Sequence, residues 1–216
     1  MNLNENIGFL FDLDGVLIDS ETEYSRIWSE INDAYPTGVE NFARVIKGQT
    51  LPEILNRYFP EDIHQNVIEM LYEKEQKMTY NYLPGAFDVL NYLKDRGLGC
   101  VLVTSSNDMK MKHLREERPE LESFFADIVT ADKIHHSKPH PEGYLLGARL
   151  LNCLPQRCMV FEDSKQGVKA GQSAGAYVIG LTTTLTADEI SSFCDEIVTN
   201  LTEVNMNKLT NILLKR

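Results

Sequence analysis

Two aspartates near the start of the chain have a spacing typical of a metal site. Asp12 and Asp14 stand one residue apart, directly after the apolar run Ile7–Phe11. A bounded apolar run of this length predicts a buried strand, and Gly15 permits a sharp turn after it. Parallel sheets bind ligands at the carboxyl ends of their strands, and Mg²⁺ would relieve the repulsion between the two acids. The alternative is an ordinary turn, because Asp and Gly are common turn residues.

Polar residues also follow two later apolar runs, Leu98–Val103 and Arg157–Phe161, each of which predicts a strand. The residues after them bind anions or cations in many proteins: Thr104, Ser105, Ser106 and Asn107 after the first run, and Glu162, Asp163 and Ser164 after the second. Lys138 lies between these strands beside Pro139, in a loop whose two prolines fix the backbone and allow a lysine to be aimed. Only a doubly wound sheet would bring such widely separated groups together.

Together these groups describe a site for a phosphoryl group. Carboxylates hold a hard metal ion, a hydroxyl and free backbone N–H groups bind oxygens, and a fixed lysine adds positive charge. One carboxylate can attack phosphorus while another protonates the leaving oxygen, since an aspartyl-phosphate is an established covalent intermediate. Each group alone also has a structural interpretation: Thr104 as a helix cap, Lys138 as a surface lysine, and Glu162 with Asp163 as a solvated turn.

Three histidines share the loop that carries the lysine: His135, His136 and His140. Histidine is a common metal ligand, but these three have neither a helical nor a hairpin spacing. We therefore predict that they are solvated loop residues rather than a metal site.

The elements that must position these residues alternate between strand and helix. Ala126–Ala131 and Ala176–Leu181 predict two further strands, which makes five in all. Helical patterns lie between them, including Gly85–Arg96 with Phe87 and Leu90 facing inward. This alternation predicts an α/β fold, with a parallel sheet covered by helices on both faces.

Between the first and second strands every strong pattern is helical. The apolar residues have helical spacing in four segments: Tyr24–Ile31, Val39–Ile46, Leu51–Tyr58 and Asp62–Tyr80. We therefore predict a core of residues 1–19 and 82–216 and an inserted helical cap of residues 20–81. Because such a site must exclude water during the reaction yet admit a substrate, we predict that the cap is mobile. Its hinges are expected at Gly15–Ile18 and Tyr82–Gly85.

Composition and charge exclude several classes of partner. The 216 residues are 43% hydrophobic and carry a formal net charge of −11. The negative charge argues against nucleic acid, whose phosphate backbone needs a basic surface, and no apolar run is long enough for a membrane. The scattered cysteines and the absence of a signal-peptide pattern predict a cytoplasmic protein. The sequence leaves the oligomeric state open between a monomer and a small homo-oligomer.

These motifs resemble, in order, the four motifs of the haloacid dehalogenase superfamily: Asp12-Leu13-Asp14-Gly15-Val16, Thr104, Lys138-Pro139 and Glu162-Asp163-Ser164. Phe161–Val168 and the helical insertion resemble the β-phosphoglucomutase and sugar-phosphatase branch. The resemblance implies a Rossmann-like, doubly wound core with a helical cap and with its first and fourth strands side by side. It also implies a Mg²⁺-dependent phosphatase that acts on a small phosphorylated metabolite, such as a sugar phosphate.

The resemblance further implies a role for each site residue. Asp12 is the expected nucleophile and Asp14 the expected general acid and base. Mg²⁺ is expected on Asp12, on the Asp14 carbonyl and on Asp163, with Glu162 adjoining. Thr104 and Lys138 are expected to bind the phosphoryl group that is transferred. The residues expected to contact the rest of the substrate are Ser105, Ser106, Asn107, Tyr24, Gly48 and Gln49.

Other activities compete with this interpretation. A dehalogenase needs no proton donor for a departing halide, so Asp14 favours phosphoryl transfer. A non-catalytic binding or regulatory protein would not need the acid pair and the lysine. An inorganic pyrophosphatase and a β-phosphoglucomutase-type mutase are the remaining alternatives. In such mutases a cap histidine and a phosphate-binding arginine occupy the positions that Tyr24 and Leu51 occupy in this chain. A neutral leucine cannot replace an arginine that binds the distal phosphate, so the comparison favours a phosphatase.

Overall fold

The computed structural model describes residues 6–46, 51–106 and 108–216. Its strands are Gly8–Phe11 (β1), Cys100–Val103 (β2), Asp127–Val129 (β3), Cys158–Glu162 (β4), Tyr177–Leu181 (β5) and Glu196–Val198 (β6). They form one parallel sheet in the order β3-β2-β1-β4-β5-β6. The direction of winding reverses between β1 and β4, where doubly wound sheets place their ligand crevice.

The helices within the described ranges surround this sheet or lie in the insertion after β1. They are Ser20–Ala34 (α1), Phe42–Val45 (α2), Leu51–Tyr58 (α3), His64–Glu75 (α4), Ala86–Asp95 (α5), Asp108–Glu117 (α6), Glu142–Leu150 (α7), Lys165–Ala174 (α8), Ala187–Ile190 (α9) and Met206–Leu214 (α10). The α/β fold predicted from the alternating patterns is therefore confirmed.

Strand β1 is buried on both of its faces. Leu10 and its partner Val160 belong to the same apolar cluster as Tyr144 of α7 and Val168 of α8. Phe11 points to the opposite face, where its ring stacks on a neighbouring phenylalanine of β4 with centroids 4.5 Å apart. Burial on both faces explains why the strands are continuous apolar runs and makes β1 a firm support for the residues that follow it.

Some elements differ from the sequence-based expectations. Strand β6 was not predicted, because three residues are too few to show a pattern. The helical pattern over 62–80 is a helix only as far as Glu75, and the one over 39–46 only within Phe42–Val45. Phe87 was expected to face inward, but it is 43% exposed and packs edge-on against Tyr82 and Phe124.

The chain forms two compact units, Met1–Asp19 with Tyr80–Arg216 and Ser20–Thr79. The first contains the sheet with α5 to α10, and the second contains α1 to α4. In the second unit, Phe42 meets Trp28 and Phe59 edge-on at 6.0 Å and 5.7 Å, which links α1, α2 and the end of α3. Among the described helices, none combines the length and the apolar character that crossing a membrane would require.

Candidate active site

The pairing of β1 with β4 brings together acids from distant parts of the chain. Phe11 lies opposite Phe161, and the amide of Asp12 donates to the Phe161 carbonyl at 3.0 Å. Asp12 therefore leaves the sheet beside Glu162 and Asp163. All three acids are buried, and one oxygen from each lies within 4.8 Å of the others. Three buried carboxylates this close together favour a bound cation.

Lys138 reaches into this acidic cluster from the loop between β3 and α7. Its Nζ donates to Asp12 Oδ1 at 2.5 Å, to Glu162 Oε1 at 2.6 Å and to the Val103 carbonyl at 3.1 Å. An ammonium group has three donors, and these contacts use all three. The lysine is therefore held in one position between the two carboxylates.

Both oxygens of Glu162 accept hydrogen bonds from the protein. Oε1 accepts from Lys138 Nζ and, at 3.0 Å, from the Tyr144 hydroxyl. Oε2 accepts from the amides of Asp163 and Ser164 at 3.0 Å and 2.9 Å, and from the Ser164 hydroxyl at 2.9 Å. Glu162 is expected to adjoin a metal ion, and these contacts also suit a carboxylate that positions Lys138.

Gly167 in α8 leaves the space that the Glu162 carboxylate occupies. A Cβ at residue 167 would lie 1.7 Å from Glu162 Oε1 and 2.2 Å from Oε2. The Gly167 amide donates to the hydroxyl of Ser164 at 3.0 Å, so that Ser164 caps the same helix. The end of β4, the turn and the first turn of α8 thus all depend on one carboxylate.

Burial dominates the electrostatics of the cluster. It raises the pKa of Asp12 from 3.8 to about 7, with Lys138 opposing the shift and Glu162 adding to it. Burial and the neighbouring acids also raise the pKa of Asp163 well above its usual value. Burial alone would lower the pKa of Lys138, but Asp12 and Glu162 outweigh it and raise that pKa. The lysine therefore stays charged, while the acids favour binding a proton or a cation.

Gly15 and Thr184 lie against Asp163. A Cβ at Gly15, which has φ of 76°, would lie 2.0 Å from Asp163 Oδ2 and 2.9 Å from Thr184 Oγ1. Thr184 Oγ1 is buried beside this carboxylate, and its hydroxyl partly offsets the rise in the pKa of Asp163. Two buried carboxylates, those of Asp12 and Asp163, lie at this edge of the sheet and suit a site completed by a metal ion and its water ligands. The residues present therefore fit a divalent cation.

Asp14 lies in a more open environment than Asp12. Lys110 Nζ donates to its Oδ1 at 2.7 Å, and the Ser106 hydroxyl donates to its Oδ2 at 3.1 Å. The Asp14 side chain is nevertheless 31% exposed. The Ser106 amide in turn donates to Thr104 Oγ1 at 3.0 Å, which fixes the loop after β2. A carboxylate that is oriented yet accessible is suited to proton transfer.

The other predicted site residues lie in different places. Thr104 is buried at the end of β2, and Ser105 next to it is exposed. Tyr24 lies in the helical unit, where its hydroxyl donates to Glu75 Oε1 at 3.0 Å. Gly48, Gln49 and Asn107 lie outside the described residues.

Three residues at this edge of the sheet were not predicted from the sequence: Lys110, Tyr144 and Thr184. Lys110 follows Ser106 by four residues, a spacing that aligns side chains on a helix, but that spacing alone does not identify Asp14 as their shared partner. Tyr144 and Thr184 lie outside any motif, and packing alone brings them to Glu162 and Asp163.

The chain is similar to known proteins both at the level of a family and at the level of individual relatives. The family model described as haloacid dehalogenase-like hydrolase matches residues 9–181. Hexitol phosphatase A of Escherichia coli is 31% identical over 211 residues, which covers 94% of this chain and 95% of that protein. A phosphorylated carbohydrates phosphatase of Thermotoga maritima is 33% identical over 175 residues, which covers 77% of this chain and 80% of that protein.

Solved structures show the same architecture. A crystal structure of β-phosphoglucomutase from Clostridium difficile superimposes with a TM-score of 0.73 at 23% identity, and the match covers 98% of each chain. A likeness at this level of identity concerns the fold alone.

Proposed function

The chain belongs to the family of haloacid dehalogenase-like hydrolases, and on this basis we propose that it is a Mg²⁺-dependent phosphatase that acts through an aspartyl-phosphate. The observation that carries the proposal is the Lys138 ammonium held between Asp12 and Glu162, at the edge where Asp163 also lies. Relatives named as phosphatases support a phosphoric monoester hydrolase.

Asp12 is the nucleophile in this proposal. Burial favours its protonated form, while the ion pair with Lys138 at 2.5 Å favours the ionised form that attacks phosphorus. One Asp12 oxygen forms a bond to phosphorus as the bond to the ester oxygen breaks. Water then attacks the acyl phosphate, releases inorganic phosphate and regenerates Asp12.

Asp14 is the general acid and base. In its protonated form it gives a proton to the leaving alkoxide, and it then takes a proton from the attacking water. Lys110 and the Ser106 hydroxyl orient its two oxygens. The accessibility of Asp14 lets it exchange this proton with solvent between turnovers.

Asp12, Asp163 and the backbone carbonyl of Asp14 would hold the magnesium ion. Its charge would offset the negative charge on the phosphoryl oxygens. Glu162 is assigned a different task, because its contacts hold Lys138 and the turn into α8. Thr104 is assigned to the phosphoryl oxygens because it is buried at the end of the adjacent strand.

We propose a phosphorylated carbohydrate or polyol as the substrate. The names of two relatives support this class. Leu51 cannot make the charged contact to a distal phosphate that a mutase requires, so water is the proposed acceptor. The proposal includes a cytoplasmic location, a core of 1–19 with 82–216 and a mobile cap of 20–81, and the two compact units support this division.

The direct test is hydrolysis of a panel of hexitol phosphates, sugar phosphates, glycerol phosphate, nucleotides and pyrophosphate, with Mg²⁺ and with EDTA. We expect Mg²⁺-dependent release of phosphate from carbohydrate or polyol esters. Asp12→Asn should lose at least about 100-fold in activity, with deamidation excluded by mass spectrometry. Asp88→Asn, at an exposed position of α5, is the matched control and should retain activity.

A second assay separates hydrolysis from mutase activity. β-Glucose 1-phosphate is supplied with a catalytic trace of the 1,6-bisphosphate, and glucose 6-phosphate and inorganic phosphate are both followed. Faster formation of glucose 6-phosphate would contradict the assignment as a phosphatase. Preference for pyrophosphate over all esters would contradict the assigned substrate class.

A further inference from the structure

Two imidazoles and a carboxylate meet on the exposed part of the loop that carries Lys138. His136 Nδ1 lies 2.9 Å from Glu142 Oε2, and His140 Nδ1 lies 3.9 Å from the same oxygen. The two imidazole rings have centroids 4.6 Å apart. The three groups offer one ligand atom each, and these atoms lie within 4.8 Å of one another. The sequence spacing predicted solvated histidines, and these two are exposed, yet the fold of the loop gathers them around one carboxylate.

Glu142 is held in place before any ion binds. Its Oε1 accepts from the amide of His135 and its Oε2 from the amide of His136, both at 2.9 Å. These bonds and the His136 side chain lower the pKa of Glu142 to about 2, so the carboxylate is ionised at neutral pH. Pro139 restricts the backbone between the two histidines, and Pro141 restricts it between His140 and Glu142. Little conformational freedom therefore remains to be lost when the three groups bind one ion.

The geometry points to a second metal site, and we propose that His136, His140 and Glu142 bind one Zn²⁺ with water as a further ligand. A tetrahedral zinc ion with bonds of about 2.0–2.1 Å holds its ligands roughly 3.3 Å apart. The two distances to Glu142 Oε2, 2.9 Å and 3.9 Å, lie on either side of this value. Two nitrogens and one carboxylate oxygen suit zinc, whereas Mg²⁺ prefers oxygen ligands and water.

Each imidazole Nδ1 already makes a hydrogen bond that zinc would replace. The lone pair of His140 Nδ1 accepts from the Glu142 amide at 3.3 Å. Where His136 Nδ1 carries the ring proton, it donates to Glu142, and this proton would move to Nε2 when Nδ1 binds zinc. A neutral imidazole therefore offers Nδ1 to the ion without net release of a proton.

This site is separate from the acidic cluster of the proposed phosphatase. The imidazoles of His136 and His140 are 65% and 50% exposed, whereas Asp12 and its neighbours are buried. Neither histidine contributes to the acidic cluster, which consists of Asp12, Glu162 and Asp163. Zinc binding can thus be measured without reference to turnover.

The test is a zinc titration against a chromophoric chelator at neutral pH, in excess Mg²⁺, on Asp12→Asn as well as on the unaltered protein. His136→Ala and His140→Ala each remove one ligand and should weaken binding by more than the roughly 10–100-fold that second-shell changes cost. His135→Ala is the matched control. It removes a neighbouring imidazole but keeps the amide that binds Glu142, so its zinc affinity should be unchanged.

Histidine side-chain NMR on the unaltered protein tests the same site without a variant. One equivalent of zinc should shift the imidazole signals of His136 and His140 and leave those of His64 and His113 in place. Equal zinc affinity in the unaltered protein and His136→Ala, or shifts confined to other histidines, would overturn the proposal. Normal zinc binding by an inactive Asp12→Asn supports this site, whereas zinc binding that disappears with Asp12 assigns the ion to the acidic cluster and refutes it.

Discussion

Asp12 should make the metal-free protein less stable as the pH rises toward neutrality. Burial raises its folded-state pKa from 3.8 to about 7. Between these two values the native protein keeps a proton that the unfolded chain has released, so the free energy of unfolding falls with rising pH. The loss is about 1.4 kcal/mol per pH unit and reaches roughly 4 kcal/mol over the interval. Above the folded-state pKa the loss is complete and does not grow further.

Asp12→Asn removes this titration, together with the effect of the Asp12 charge on the pKa values of Asp163 and Lys138. The amide does not ionise, yet its Oδ1 can still accept the hydrogen bond that Lys138 gives to Asp12. Urea unfolding in EDTA would be measured for both proteins at several values between about pH 4 and pH 8. The unaltered protein should lose roughly 4 kcal/mol relative to the variant as the pH rises. Asp88→Asn should follow the unaltered protein.

Magnesium should offset part of this loss near neutral pH. An ion that binds only the native state stabilises it by about 2.7 kcal/mol at a hundred times its dissociation constant. The variant should gain less, because one proposed ligand has been changed. If the stability of the unaltered protein relative to Asp12→Asn stays constant or increases from pH 4 to pH 7, Asp12 is ionised throughout and the reasoning from burial is wrong.

Three further changes test the neighbouring residues. Gly167→Ala places a Cβ where the Glu162 carboxylate lies, so the free energy of unfolding measured in urea should fall by at least about 1–3 kcal/mol. An unchanged midpoint would contradict the crowding. Lys138→Met should lower kcat about 10²–10³-fold, since it removes the charge beside the nucleophile; a change confined to KM would contradict that role. Lys110→Met removes a group that orients Asp14, so hydrolysis of alkyl phosphates should slow about 10–100-fold. Hydrolysis of p-nitrophenyl phosphate should slow less, because a good leaving group needs little protonation by Asp14; equal losses on the two substrates would refute this role.

Much of the fold followed from local patterns. Strands buried on both faces are continuous apolar runs, so β1, β2, β4 and β5 were visible in the sequence. The family resemblance, the α/β fold and the class of enzyme are confirmed, while the roles of individual residues stay predictions. Strand β6 was missed because edge strands can be too short to show a pattern. The helix was predicted to extend beyond Glu75 because buried residues can have helical spacing even where the backbone is not helical.

The sequence by itself determined which residues stand at the strand ends, because turns and apolar periodicity are local properties of the chain. It therefore identified Asp12 and Asp163. Only the tertiary structure decided what each side chain contacts, since these contacts depend on sheet register and helix packing. Lys110 meets Asp14 across 96 positions of sequence, and Lys138 meets Asp12 across 126. The loop histidines show the same limit, because the path of the loop backbone, rather than the spacing of the histidines in sequence, brings His136 and His140 to one carboxylate.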